Sequence, residues 1–209
     1  MPWNVDADGK IKIKFLTYEN RNGKAANGHC CDGKWGVCQS NGCDHFFKIC
    51  LDKPGGQGDM SKCAYGDVRE SERYSDQNQI TFTNKIQNLN NPIEYDFFTP
   101  MPDEVVLKVD INDYDRVGRN DHVDFLEQRI VNLDDVPHNT TLEYTLQKRT
   151  TLRVQITKEC IPNFYGKKCS RFCYPAPQNQ YLCNPATGEK IYTLGWKGID
   201  CNELTGRHV

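Results

Sequence analysis

An antiparallel β-sandwich followed by a small disulfide-rich module is the fold class this sequence predicts, and three observations predict it. Short apolar–polar alternations recur along residues 1–158, no segment carries an amphipathic helix of useful length, and cysteines replace aliphatic residues from 159 onward. Alternation gives each strand one buried and one wet face. The chain therefore divides into a sandwich over 1–158, a stapled module over 159–201 and a tail over 202–209.

The elements follow in order. Residues 10–18 (KIKIKFLTY) put Ile11, Ile13 and Phe15 on one face of a half-buried strand. A Gly/Asn-rich loop from Asn20 to Gly28 leads into a first cysteine cluster, and 46–51 (FFKICL) predicts the next strand. The polar stretch 53–78, with Pro54-Gly55-Gly56, predicts a long loop. Residues 79–86 and 93–98 predict further strands, and 104–111 (EVVLKVDI) gives the clearest one, with Val105, Leu107, Val109 and Ile111 sharing a face. Strands over 141–147 and 151–157 close the sandwich. Beyond them lie Cys160, Cys169, Cys173, Cys183 and Cys201 among Gly, Pro and aromatics, the composition of a module held by covalent staples rather than by buried apolar area.

Composition narrows the function classes. With 26 basic and 28 acidic residues the formal charge is −2, so no global field recruits nucleic acid or an anionic membrane. No run approaches the roughly 20 apolar residues that span a bilayer. The start, MPWNVDADGK, lacks a secretory leader, yet 11 cysteines in clusters mark an oxidising compartment, so the sequence reads as a truncated or mature form of a secreted chain. An odd total leaves at least one thiol without a partner in the monomer. Cys30, Cys31, Cys38 and Cys43 lack the C-x2-C arms of a zinc knuckle. With Cys50 and Cys63 they supply six cysteines for three bridges, among whose connectivities sequence does not choose, although adjacent Cys30 and Cys31 are expected to bond to different partners.

Residues 110–124 (DINDYDRVGRNDHVD) predict an acidic loop. Carboxylates at alternate positions point to one side, and hard cations such as Ca²⁺ take about six to eight oxygens in such cups. The Gly and Glu positions exclude an EF-hand. The segment instead resembles the third calcium-binding loop of a C2 domain, whose ligand aspartates fall on Asp113, Asp115 and Asp121. Cys43-Asp44-His45-Phe46-Phe47-Lys48-Ile49 is similar to the end of the first such loop and makes Asp44 a fourth ligand candidate, with Asp32 a weaker fifth. The resemblance implies Ca²⁺ as cofactor and a phospholipid surface as a contact of the loop tips.

The C-terminal cysteines carry a second resemblance. Residues 160–173 (CIPNFYGKKCSRFC) and the closing GWKGIDC over 195–201 resemble the DSL module of Notch ligands of the Delta, Serrate and Jagged type. Asn27-Gly28-His29-Cys30-Cys31 and the run from Cys43 to Leu51 resemble the C2-like domain that precedes the DSL module in that family, so the likeness covers roughly residues 10–201. It implies an extracellular ligand of the EGF-like repeats of a Notch receptor, in a parent that is a single-pass plasma-membrane protein, with no enzymatic activity and no nucleic-acid partner. It also implies the pairings Cys160–Cys169 and Cys173–Cys183 and makes Phe172 a receptor-contact aromatic. Two departures stand out. The loop Tyr174–Leu182 is about two residues short, with Tyr174 and Ala176 where arginines are usual and Tyr181 where an aromatic could fill part of the contact. Tyr192 stands at the fifth cysteine position, so Cys201 loses its usual partner and would pair between chains, pair with a following domain or stay free.

Asn139-Thr140-Thr141 is a glycosylation sequon fitting a secreted chain, and Trp196 is read as the small core of the second module. The histidines have no Ser or Cys nucleophile in a motif with them. The competing function is a secreted calcium-dependent phospholipid-binding C2 module with a degenerate DSL domain, which the altered 174–182 loop favours. A chain without an anchor would bind a receptor as a soluble form.

Overall fold

The computed structural model describes residues 9–31, 33–34, 37–38, 42–56, 59–98, 100–116, 118–130, 141–175, 180–198 and 203–205. The first module contains β1 (Gly9–Glu19), β2 (Gly33–Lys34), β3 (Val37–Cys38), β4 (His45–Asp52), β5 (Arg69–Glu70), β6 (Gln79–Thr81), β7 (Lys85–Ile86), β8 (Leu89–Asn90), β9 (Ile93–Phe97), β10 (Val105–Asp113), β11 (Asp121–Ile130), β12 (Thr141–Gln147) and β13 (Thr151–Cys160). The second contains β14 (Phe164–Tyr165), β15 (Arg171–Phe172), β16 (Tyr181–Cys183), β17 (Lys190–Tyr192), β18 (Trp196–Lys197) and β19 (Glu203–Leu204). Among the described residues there is no helix.

Two antiparallel sheets form the sandwich. One runs β12-β13-β1, with β6 and β9 both pairing the far edge of β1; the other runs β11-β10-β4-β5. Ile11, Ile13 and Phe15 of β1 face Val105, Leu107, Val109 and Ile111 of β10 across one apolar core. A bulge in the β1–β13 pairing between Phe15 and Thr17 shifts the side-chain parity, so that Tyr18 also turns inward. There it meets His45 and Phe47 edge-on, with ring centroids 4.9 and 5.1 Å away.

Several expectations need correction. The 53–78 loop contains β5, and His45 makes a further bridge with Tyr74. The strand over 79–86 is two, β6 and β7, because Phe82 turns into the core and the Asn91 side chain takes the Thr83 carbonyl. The acidic loop is shorter than 110–124: β10 runs on to Asp113 and β11 begins at Asp121, pairing those two residues. Strand β11 itself was absent from the sequence reading, since its first residues, Asp121, His122 and Asp124, are polar.

The outer face of the second sheet is covered as well. Lys108 projects from it, is 2% exposed, and sits 2.6 Å from Asp52 Oδ2. The other Asp52 oxygen accepts the N–H groups of Lys53 and Ala64, and Cys50–Cys63 closes the loop between them. The remaining pairs of this module are Cys30–Cys38 and Cys31–Cys43, so the adjacent cysteines do bond to different partners and none of the four is a zinc ligand.

The modules meet through Cys169. This half of the Cys160–Cys169 bridge is wholly buried in the sandwich core. A Cβ on Gly9 would lie 2.7 Å from Met101 Sδ and 3.0 Å from Cys169 Sγ, so only glycine admits this approach. Lys158 Nζ donates to the Lys167 carbonyl at 2.7 Å from the sandwich side. Among the described residues, no helix is long and apolar enough to cross a membrane.

Candidate functional site: an aromatic face and an acidic tip

The aromatic face grows from two short hairpins joined by Cys173–Cys183. In the first, Phe164 and Phe172 are cross-strand partners with ring centroids 5.4 Å apart. Phe164 packs against the main core, and Phe172 stands on it 63% exposed. Tyr174, two residues on, is 59% exposed. The disulfide carries the chain to Tyr181, which pairs with Tyr192 across the second hairpin. Lys190 Nζ lies 4.7 Å over the Tyr181 ring, and Arg171 reaches Glu189 at 3.0 Å to tie the hairpins together. Leu182 and Ile191 form an exposed apolar pair on the opposite side of the second hairpin. The turn between its strands closes through Gly188, whose N–H donates to the Asn184 carbonyl at 2.8 Å.

The acidic tip lies at the end of the sandwich where β4 begins and β10 gives way to β11. Strand parity decides what each carboxylate does. Asp113 shares the inward face of Val109 and Ile111, is 1% exposed, and its Oδ1 accepts the Asp44 N–H at 2.6 Å. Asp124 is buried too, its Oδ2 accepting the Arg149 and Thr150 N–H groups of the β12–β13 turn. Asp110 faces His122 Nε2 at 3.1 Å. Asp44, Asp115 and Asp121 are half-buried at the tip. Burial first, then the charges of Asp121 and Asp44, push the Asp115 carboxyl above its ordinary pKa. Among the described residues, the group of three whose ligand atoms fall within 4.8 Å is Cys31, Cys43 and Asp113, and both of its sulfurs belong to one disulfide.

Residues 8–157 match the family model described as the N terminus of Notch ligand C2-like domain, and residues 160–204 match the Delta serrate ligand model. The chain belongs to the Notch ligand family. Its relatives include the neurogenic locus protein delta of Drosophila melanogaster, 27% identical over 210 residues that cover 95% of this chain and 25% of the relative. Human protein jagged-1 is 26% identical over 214 residues, 96% of this chain and 17% of jagged-1. The chain thus spans a quarter or less of the length of these two relatives. Among solved structures, Drosophila C2-DSL-EGF1 superposes with a TM-score of 0.69 at 22% identity, covering 94% of this chain and 87% of that one, a likeness of fold. A C2 domain protein from Ramazzottius varieornatus superposes at 0.53 with 12% identity, covering 84% and 98%.

Within this chain the structure places Phe172, Tyr174 and Tyr181 beside one disulfide, with the pairings Cys160–Cys169 and Cys173–Cys183 that the resemblance implied. It separates the four aspartates: Asp44, Asp115 and Asp121 share the tip, while Asp113 faces inward. Trp196 is half-buried in β18. Asn139, Asp32, Ala176 and Cys201 lie outside the described residues. Among the described residues ten cysteines form five bridges. Sequence reasoning missed Arg171, Lys190 and the Leu182–Ile191 pair. The hairpin turn at Asn184–Gly188 was the available signal, because its closure sets which residues of β16 and β17 face each other.

Proposed function

We propose that this chain is the receptor-binding end of an extracellular Notch ligand and that it grips EGF-like repeats of a Notch receptor. Phe172 carries the reading. A phenyl ring 63% exposed and held edge-on by Phe164 is presented to solvent in a fixed place, as expected of an anchor awaiting a partner pocket. Tyr174 and Tyr181 extend that surface, and the disulfide between Cys173 and Cys183 holds the parts in place before binding. Five disulfides support an oxidising, extracellular setting, and the parent is read as anchored in the plasma membrane. Binding of immobilised receptor EGF-like repeats by the whole chain tests the reading. Saturable binding lost on Phe172→Ala supports it; no binding by a folded, glycosylated sample refutes it.

A second reading, proposed beside the first, concerns the tip, where Asp44, Asp115 and Asp121 lie close enough for the charges of two to act on the third. Asp44, Asp115 and Asp121 have the hard oxygen donors that Ca²⁺ takes, and a divalent charge would relieve their mutual repulsion. Asp113 is buried behind them and accepts the Asp44 N–H through Oδ1. Calorimetric titration with CaCl₂ tests this, and an Asp115→Asn chain that binds as tightly as wild type would refute it.

A further inference from the structure

The open edge of the sandwich carries two cationic side chains that no carboxylate among the described residues pairs. Arg69 lies on β5, the edge strand of the second sheet, opposite Ile49 of β4. Cross-strand partners project from the same face, and Ile49 is wholly buried, so Arg69 stands on the inner face and reaches over the gap toward the first sheet. Across that gap are β9 and the β7–β8 hairpin, and the two sides enclose a cleft of ≈ 490 Å³ whose walls include Arg69, Asn84, Lys85, Asn90, Ile93 and Glu94. Among the described residues the Arg69 guanidinium has no hydrogen bond and no ion pair. Lys85 Nζ donates to Asn90 Oδ1 at 2.6 Å, a neutral amide that leaves its charge uncompensated. Glu94 is already taken by Lys10 at 2.8 Å and Lys12 at 3.6 Å. Glu70 and Glu72, which follow Arg69 in the chain, line a separate cleft with Tyr114. Tyr95 adds a further idle donor. It follows Ile93 on the inward face of β9, is 3% exposed and lies close enough to Arg69 to feel its charge, and its hydroxyl has no hydrogen-bond partner among the described residues.

We propose that this cleft is a binding site for a sulfated polysaccharide, seating one sulfate group on Arg69 and Lys85. The guanidinium presents a planar fork that matches a tetrahedral oxyanion, and the lysine adds a point charge beside it. The Asn84 and Asn90 amides supply neutral donors and acceptors for sugar hydroxyls. No aromatic ring among the described residues lines the cleft, so it offers no stacking platform for a nucleobase. With a formal charge of −2 the chain has no global pull on a polyanion, so recognition is local to the cleft and sensitive to salt. The proposal takes from the reading above only the extracellular setting, where sulfated polysaccharides are the polyanions at hand. The aromatic face read as receptor-binding lies on the other module.

The test is calorimetric titration of the whole chain with a heparin dodecasaccharide, beside its desulfated form and vesicles containing phosphatidylserine. Wild type is compared with Arg69→Gln, Lys85→Gln and Arg153→Gln, the last removing an equal charge from the exposed face of β13, and thermal melts confirm the folding of each. Expected is saturable binding of the sulfated chain alone, weakened roughly tenfold by Arg69→Gln, about threefold by Lys85→Gln and not at all by Arg153→Gln. Raising the salt concentration weakens it further. No binding of heparin, equal affinities for wild type and Arg69→Gln, or an equal loss on Arg153→Gln overturns the proposal. So does binding of the desulfated chain or of the vesicles as tightly as of heparin. None of these outcomes moves the receptor reading, whose test is Phe172→Ala.

Discussion

Asp113 accepts the backbone N–H of Asp44 at 2.6 Å, and this one bond ties the start of β4 to the end of β10 at the tip of the sandwich. The two aspartates therefore do different work although both looked like metal ligands. Asp113 is buried and holds the loop in place; Asp44 turns its oxygens toward Arg73 and Asp76. Exchange at Asp113 and at its half-buried neighbour in the tip, Asp115, should separate stability from cation binding. Asp113→Ala leaves the half-buried Asp44 N–H without its acceptor and should lower stability by about 1–2 kcal/mol. Asp115→Asn should leave stability equal or slightly higher while abolishing the calcium response. Denaturant melts with and without CaCl₂ check both.

His45 gives the chain an acid-sensitive joint at the same end. It is fully buried against Tyr18, and burial lowers its pKa to about 4, with the Asn78 side-chain hydrogen bond opposing that shift. The unfolded histidine titrates near 6.5. Above that pH both states are neutral and His45 contributes nothing to the pH dependence. Below it the unfolded chain takes up a proton that the folded chain refuses, so stability falls down to about pH 4. Between pH 7.5 and pH 5 the loss should be about 2 kcal/mol. Melts of wild type and His45→Phe at the two pH values isolate it, because the difference between the chains should narrow by that amount in acid.

The buried Lys108–Asp52 pair, 2.6 Å apart, fastens the 52–64 loop over the second sheet. Lys108→Met strands the Asp52 carboxylate out of water and should cost about 3 kcal/mol. Adding Asp52→Asn should return part of that loss, because an amide oxygen there still accepts the Lys53 and Ala64 N–H groups. Chemical denaturation of the single and double variants reads the coupling.

Gly188 should tolerate no side chain. Its φ is +69°, and a Cβ would lie 2.6 Å from Tyr165 Cβ. Gly188→Ala should cost about 1–3 kcal/mol through strain and displacement. Because the turn sets the Tyr181–Tyr192 register, receptor binding should weaken along with the melting temperature.

The sequence made some of this legible and hid the rest for physical reasons. Ile11, Ile13 and Phe15, like Val105 to Ile111, alternate because each strand has one dry face, and both stretches form strands as expected. The same parity, carried one step further, places Asp113 inside; reading it as loop lost that information. Strand β11 escaped because Asp124 is buried for its hydrogen bonds to the 149–150 turn rather than for apolarity, and a shift between Ile111 and Asn112 breaks the regular pairing. The bulge that turns Tyr18 inward leaves no mark in composition. At the second module the two bridges were legible through family resemblance. Lys190 over Tyr181 was not, because that contact depends on a hairpin register the turn decides.

The most direct test of the receptor-binding face is surface-immobilised binding of this chain to receptor EGF-like repeats, with Phe172→Ala and Asp115→Asn chains beside the wild type. The prediction is saturable wild-type binding, weakened at least tenfold by Phe172→Ala while the melting temperature stays within a degree or two. The Asp115→Asn chain controls for calcium acting on the receptor repeats themselves. Equal affinity of wild type and Phe172→Ala, or no binding by either folded chain, would contradict the assignment of this aromatic face to receptor recognition.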